Sequence, residues 1–169
     1  MWLVAKKKRA GAGGGGTPAV LALETAGVNH VLRAYEHDGS RDDFGAEAAD
    51  ALGLPSGQVF KTLLADVDGV LAVGIVPVDH KLDLKALARA VGGKKAAMAD
   101  VARAERATGY VAGGISPLGQ KQRHVTVLDE SAEAFDVVYV SAGRRGLEAG
   151  LAPADLLALT GGTAAPIAR

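Results

Sequence analysis

Hydrophobic and polar positions alternate most clearly in the middle of the chain, at QVFKTLLADVDGVLAVGIVP (58–77). Two apolar runs flank Asp68-Gly69, a dipeptide favoured in type I′ turns, so the segment predicts a β-hairpin. Side chains alternate faces along a strand, which puts Val59, Lys61, Leu63, Ala65 and Val67 on one side. All but the lysine are aliphatic. Two readings of that lysine follow. It snorkels from an edge strand, its stem covering apolar surface. Or it sets an ammonium group at the mouth of a cleft, to hold a phosphate or stabilise charge on a carbonyl oxygen. Alternation alone leaves both open.

Helical periodicity and its punctuation place the other elements. Thr17-Pro18 is an N-cap followed by a first-turn proline, and Gly27 ends the helix PAVLALETA. VLRAYEHD (31–38) alternates as a strand, and 43–52 reads as a helix closed by Gly53. Asp83 caps a helix through Val91, KKAAMA is a weak strand, and Asp100 caps a short helix ended by Gly109. YVAGGISPLGQKQR (110–123) is mostly loop. HVTVLD and DVVYVS are strands on either side of a short helix at 130–135. GRRG turns the chain, and Pro153 opens a last helix, PADLLALT, before Gly161-Gly162. Short strands and helices alternate, but few connections are long enough for parallel crossovers. The pattern predicts a single α+β domain over 17–169, with a mixed, barrel-like sheet surrounded by short helices. Residues 1–16, MWLVAKKKRAGAGGGG, form a basic, glycine-rich segment that buries almost nothing, a flexible tail.

Composition narrows the chemistry. The chain has 169 residues, enough for one domain with a real core, and carries no net charge. A whole-surface field for nucleic acid is therefore absent, and any such ligand must be held locally or delivered by a partner. There is no cysteine, which removes disulfides, thiolate zinc sites and a cysteine nucleophile. His30, His37, His80 and His124 show no ligand spacing, so no metal and no cofactor are expected. The longest apolar run, Val70 to Val78, is far below a membrane span, and the N-terminal order of apolar then basic residues is the reverse of a signal peptide. A soluble cytoplasmic protein is expected.

Two motifs fail on context. GAGGGG (11–16) fits the dinucleotide fingerprint, but lysines and an arginine stand where a buried strand is required. GISPLG (114–119) resembles a nucleophile elbow, yet it is one residue too long. The residue after Ser116 is Pro117, which has no N–H for an oxyanion hole. The glycines at 113 and 114 do allow close backbone approach to a ligand, with a turn set by Pro117.

AYEHD (34–38), VFKTLL (59–64), LDLKALARAVGGKKAAMAD (82–100), TGYVAGGISPLGQKQR (108–123) and VYVSAGRRGLE (138–148) together resemble the YbaK/EbsC family. These are free-standing deacylases of Cys-tRNA(Pro), related to the editing domain inserted in bacterial prolyl-tRNA synthetases. The likeness runs in order from about Thr17 to near residue 160. It implies that Lys61 is the essential catalytic lysine. It also implies that Tyr35, Phe44, Thr62, Gly113, Gly114, Ser116, Pro117, Ser141, Gly143 and Glu148 form the substrate pocket. The family usually has aspartate where Glu148 stands, so the charge here sits on a longer arm. The resemblance further implies that the tRNA(Pro) 3′ aminoacyl end is the ligand and prolyl-tRNA synthetase a partner. The chemistry it implies needs no enzyme nucleophile, because the substrate's own cysteinyl thiol attacks its ester carbonyl. The alternatives are a relative preferring Ala-tRNA(Pro) or a broader set of aminoacyl-tRNAs, and a non-catalytic ligand-binding module on the same fold.

Overall fold

The computed structural model describes residues 16–169. The expected tail therefore lies outside the described residues apart from Gly16. The chain then runs α1 (Pro18–Ala26), β1 (His30–Ala34), α2 (Phe44–Leu52), β2 (Phe60–Val67), β3 (Val70–Pro77), α3 (Leu84–Ala90) and β4 (Ala96–Met98). It continues with α4 (Val101–Thr108), β5 (Val125–Asp129), a short 3-10 turn (Glu130–Ala134), β6 (Val138–Arg144), β7 (Leu147–Leu151), α5 (Pro153–Thr160) and β8 (Thr163–Ala165).

The strands form two sheets. One has the order β1-β7-β6 and the other β4-β2-β3-β5-β8. The β2–β3 hairpin is antiparallel, while β5 pairs in parallel with both β3 and β8, so the larger sheet is mixed as expected. A single parallel bridge between Val59 and Tyr139 joins the two sheets at one corner, and the barrel does not close.

Each face is buried for a readable reason. One face of the large sheet (Leu64, Val73, Ile75) meets the small sheet (Val140, Ala149, Leu151), with α1 and α4 packed around them. The opposite face (Ala65, Val67, Val76) is covered by α3 through Leu87. Alternation along β2 thus serves two cores at once. The caps hold as the sequence suggests: Thr17 Oγ1 accepts the Val20 N–H at 3.1 Å and donates to the Ala142 carbonyl at 2.7 Å, tying α1 to β6.

The sequence reading differs from the structure in three elements. The strand expected over 31–38 ends at Ala34, because the Asp38 N–H is taken by the Glu47 carboxylate at 2.7 Å instead of a strand partner. The reading has no β7, a central and fully buried strand made of LEAGL. Its glycine and alanine carry little β-propensity. Gly150 is there because the Tyr139 ring occupies the space a Cβ would need, at 2.5 Å. The three-residue β8 is also absent from the reading. Among the described residues, no helix is long and apolar enough to cross a membrane.

Candidate active site

Strand β2 is half covered on its outer edge. The Val78 N–H bonds the Val59 carbonyl at 2.8 Å, and the Ala99 N–H bonds the Leu64 carbonyl at 3.0 Å. Peptide groups in an antiparallel ladder alternate between the two neighbours, so Lys61 and Leu63 bond β3 and Thr62 points its N–H and C=O outward. Strand β4 pairs only with Ala65 to Val67 and leaves that outward edge open. A cleft of about 420 Å³ runs along it, lined by residues 59–64 together with Phe44, Gly113, Ile115, Ser141 and Glu148.

Three polar groups dominate the cleft. Lys61 is half-buried and makes no ion pair among the described residues. Burial pulls its pKa below the usual lysine value, Asp79 opposes that shift and Lys81 adds to it. Thr62 is 9% exposed, and its Oγ1 is buried with no partner among the described residues. A buried hydroxyl left unpaired is costly and points to a ligand or water as its partner. Glu148, opposite Ser141 in the β6–β7 ladder, is pushed up to about 8 by burial. At neutral pH it is therefore a neutral acid, able to donate a hydrogen bond. Tyr35 lies in the field of Glu148: burial first, then Glu148, raises its phenol to about 12.

The walls of the cleft are clamped. Buried Glu47 on α2 accepts from His37 Nδ1 at 2.8 Å and from the Asp38 N–H at 2.7 Å, holding the YEHD segment against the helix that carries Phe44. Gly45 lets α2 reach the end of β3, since a Cβ there would sit 2.4 Å from Val78 Cγ1. The Arg145 guanidinium lies 4.7 Å from the Phe44 ring centroid, while its Nε donates to the Ala112 carbonyl at 2.9 Å. Glu105 accepts the Ala112 N–H at 2.8 Å from the other side. Tyr110 Oη donates to the Leu118 carbonyl at 2.6 Å, closing the glycine loop behind.

Of the residues expected from the sequence, Lys61, Thr62, Phe44, Gly113, Ser141 and Glu148 line the cleft together. The other five lie outside its lining and shape it. Gly114 packs on the Arg144 backbone, where a Cβ would meet Cα at 2.8 Å. Ser116 and Pro117 are buried in the loop's base, and Ser116 Oγ accepts the Leu118 N–H at 3.1 Å. Gly143 sits at the bulge of β6 with φ +106° against Thr17 and Tyr110. Tyr35 packs against the cluster of Ala48, Ala49 and Val59. Sequence reasoning missed Glu47 and Arg145. Glu47 lies one helical turn after Phe44 (i, i+3), and Arg145 lies in the quoted GRRG, but neither spacing reveals a clamp across the fold. All four histidines engage partners other than serine through Nδ1: the Val28 carbonyl, Glu47, Asp79 and Gln120. No serine among the described residues therefore has an imidazole base at hydrogen-bond distance.

Comparison with known proteins places the chain in a family. Residues 42–159 match the aminoacyl-tRNA editing domain. EbsC of Enterococcus faecalis, a candidate Cys-tRNA(Pro)/Cys-tRNA(Cys) deacylase, is 42% identical over 136 residues, covering 79% of this chain and 82% of its own length. The crystal structure of a candidate trans-editing enzyme for prolyl-tRNA synthetase superposes with a TM-score of 0.77 at 28% identity, over 90% of this chain and 95% of that one. A hypothetical protein of known structure, 24% identical with a TM-score of 0.80 over 90% of this chain and 99% of its own, shares the fold.

Proposed function

The chain belongs to the aminoacyl-tRNA editing domain family, and from that premise we propose that it is a trans-editing deacylase hydrolysing mischarged Cys-tRNA(Pro) in the cytoplasm. The observation that carries this reading is the open edge of β2. It combines a half-buried lysine, an unpartnered buried threonine hydroxyl and an outward peptide N–H in one narrow cleft. Such a set of groups suits stabilising an anion, and no serine among the described residues has a histidine partner to activate it.

The mechanism follows from those parts. The 3′-terminal ester of the tRNA enters the cleft with the cysteinyl side chain against the aliphatic wall of Leu63, Val78 and Ile115. The thiol sulfur attacks the ester carbonyl carbon, and the C–O bond to the ribose breaks. The thiol proton ends on the ribose oxygen, and water opens the resulting thiolactone to free cysteine. Lys61 and the Thr62 N–H support the charge that develops on the carbonyl oxygen. The rigid Phe44–Gly113 wall holds the ester so that the sulfur reaches it. Thr62 Oγ1, Ser141 and neutral Glu148 bond the ribose and the α-amine. Prolyl-tRNA synthetase, as a partner, would supply the tRNA selection that a chain of zero net charge does not.

The test is hydrolysis of a panel: Cys-tRNA(Pro), Ala-tRNA(Pro), Pro-tRNA(Pro) and Cys-tRNA(Cys). Release of cysteine from tRNA(Pro) at rates well above the other three is expected. Faster release of alanine would reassign the substrate, and no release from any would make the domain a binding module.

A further inference from the structure

Helix α4 separates the cleft from a second concavity. Val101 and Ala104 line the cleft, whereas Arg103, Arg106 and Ala107 on another side of the same helix line a groove of about 730 Å³. Lys121, Arg123 and His124 form the groove's other bank, and the exposed Val70 and Val125 lie along it. In a chain with no net charge, four cationic side chains around one groove are a local concentration.

Three of those charges are uncommitted. Arg103 pairs with Asp66 and donates to the Gly69 carbonyl, so it braces the hairpin. Arg106, Lys121 and Arg123 are exposed and make no ion pair among the described residues. The nearby carboxylates are engaged elsewhere: Asp66 by Arg103, Asp68 by the N–H groups of Lys94 and Lys95, and Glu105 by Ala112. The bank is also fixed in place. The N–H groups of Lys121 and Gln122 bond the Thr108 and Ala107 carbonyls at 2.9 and 3.1 Å, stapling the loop to the last turn of α4. His124 Nδ1 engages Gln120, while its Nε2 is buried without a partner among the described residues.

We propose that this groove binds backbone phosphates of the tRNA acceptor stem whose aminoacyl end occupies the cleft, with Arg106, Lys121 and Arg123 as the contacts. The inference rests on the deacylase reading. The two sites share one helix, whose width of about 10–12 Å with side chains separates them, so the groove lies within reach of a duplex whose 3′ end enters the cleft. Exposed cations on a braced bank suit backbone phosphates, Lys121 as a point charge and the two arginines through their planar guanidinium forks.

The test uses the full-length chain and a fluorescent RNA hairpin of the acceptor stem ending in CCA. The triple variant Arg106→Gln, Lys121→Gln, Arg123→Gln is expected to bind it roughly tenfold or more weakly near 0.1 M salt. Its log Kd against log salt slope should fall by about 2.7, the loss of three duplex phosphate contacts at about 0.9 each. Lys85→Gln with Arg89→Gln, on exposed positions of α3, serves as the control for charge removal elsewhere and should leave both nearly unchanged. An unchanged slope in the triple variant, or an equal loss in the control, overturns the groove. Displacement by polyglutamate but not by the hairpin would assign it to an acidic polypeptide and also overturn it. Hydrolysis of Cys-tRNA(Pro) by the wild type is read separately. Its absence alongside salt-sensitive binding through these three residues would retire the deacylase reading and leave the groove standing.

Discussion

Gly113 lies flat against Phe44, so close that a Cβ on the glycine would stand 2.8 Å from ring atoms Cγ and Cδ1. The same Cβ would meet Arg145 Nε at 2.9 Å, and the glycine's φ is +87°. Both the conformation and the contact exclude a side chain. Gly113→Ala should therefore lower stability by about 1–3 kcal/mol through strain and overpacking. It should also cut kcat/KM by tenfold or more, by displacing the ring from the cleft wall. Phe44→Ala in the same chain removes one half of the clash, so the double variant should be more stable than the sum of the single effects requires. Thermal melts and single-turnover hydrolysis on the four proteins of the cycle check this. Strict additivity would mean that the glycine serves flexibility and not contact.

Lys61→Met keeps the aliphatic stem and removes the charge. Because the ammonium is half-buried and makes no ion pair among the described residues, its removal should leave the melting temperature equal or slightly higher. The rate should fall by about 10²–10³, the usual cost of deleting one oxyanion-stabilising group. A variant within a few-fold of wild type would return the side chain to covering apolar surface, the other reading its position in the strand allows.

Glu148 gives the protein a pH signature. Below its ordinary carboxylate range both folded and unfolded states hold the proton. Between about 4.5 and about 8 the unfolded chain releases it and the folded chain keeps it. Stability should therefore decline as pH rises through this window, by at most about 1.4 kcal/mol per unit from this group. Glu148→Gln, a neutral isostere, should remove that slope and gain on the order of 1–3 kcal/mol at pH 7. It should also retain activity at pH 6.5, where the wild-type carboxyl is neutral too. Urea midpoints for both proteins from pH 5 to 8.5 make the comparison. Parallel profiles would show that the carboxyl ionises normally in the fold.

The difference between Glu148 and Lys61 shows what the chain discloses. Lys61 stands out because it interrupts an aliphatic row, and a row is visible in one dimension. The hairpin, the capped helices and the mixed sheet are visible for the same reason, since local periodicity and caps dictate them. Glu148 sits in LEAGL, a strand buried by its place between β1 and β6 and by the large sheet packed on the small one. Nothing local announces that strand, nor the pKa that its burial produces. Glu47 and Arg145 are hidden likewise: their partners, His37, Phe44 and Ala112, come from other segments. The family resemblance named eleven positions, of which the structure brings six into the cleft lining and leaves five outside it. Ser116 reads as a pocket residue by position, whereas alternation along the loop turns Ile115 to the cleft and buries Ser116.

That burial sharpens the mechanistic test. Ser116 is fully buried and its Oγ accepts the Leu118 N–H at 3.1 Å, a turn-stabilising bond; His124 reaches Gln120, which donates to the Ser116 carbonyl and not to its hydroxyl. Ser116→Ala should therefore cost about 0.5–1.5 kcal/mol of stability and leave kcat within a few-fold. On the substrate-assisted mechanism proposed above, the nucleophile comes with the substrate. A thiol with a pKa near 8.5 presents a few per cent of thiolate at neutral pH, whereas a serine hydroxyl presents essentially none. Ser-tRNA(Pro), nearly isosteric with Cys-tRNA(Pro), should bind with a similar KM and react at least about 10²-fold more slowly, as a split between kcat and KM. The rate on the cysteine substrate should rise with pH toward the thiol pKa until ionisation of Glu148 intervenes. Equal rates on serine and cysteine, or an acyl group found on Ser116 by mass spectrometry, would replace substrate-assisted attack with catalysis by the protein's own hydroxyl.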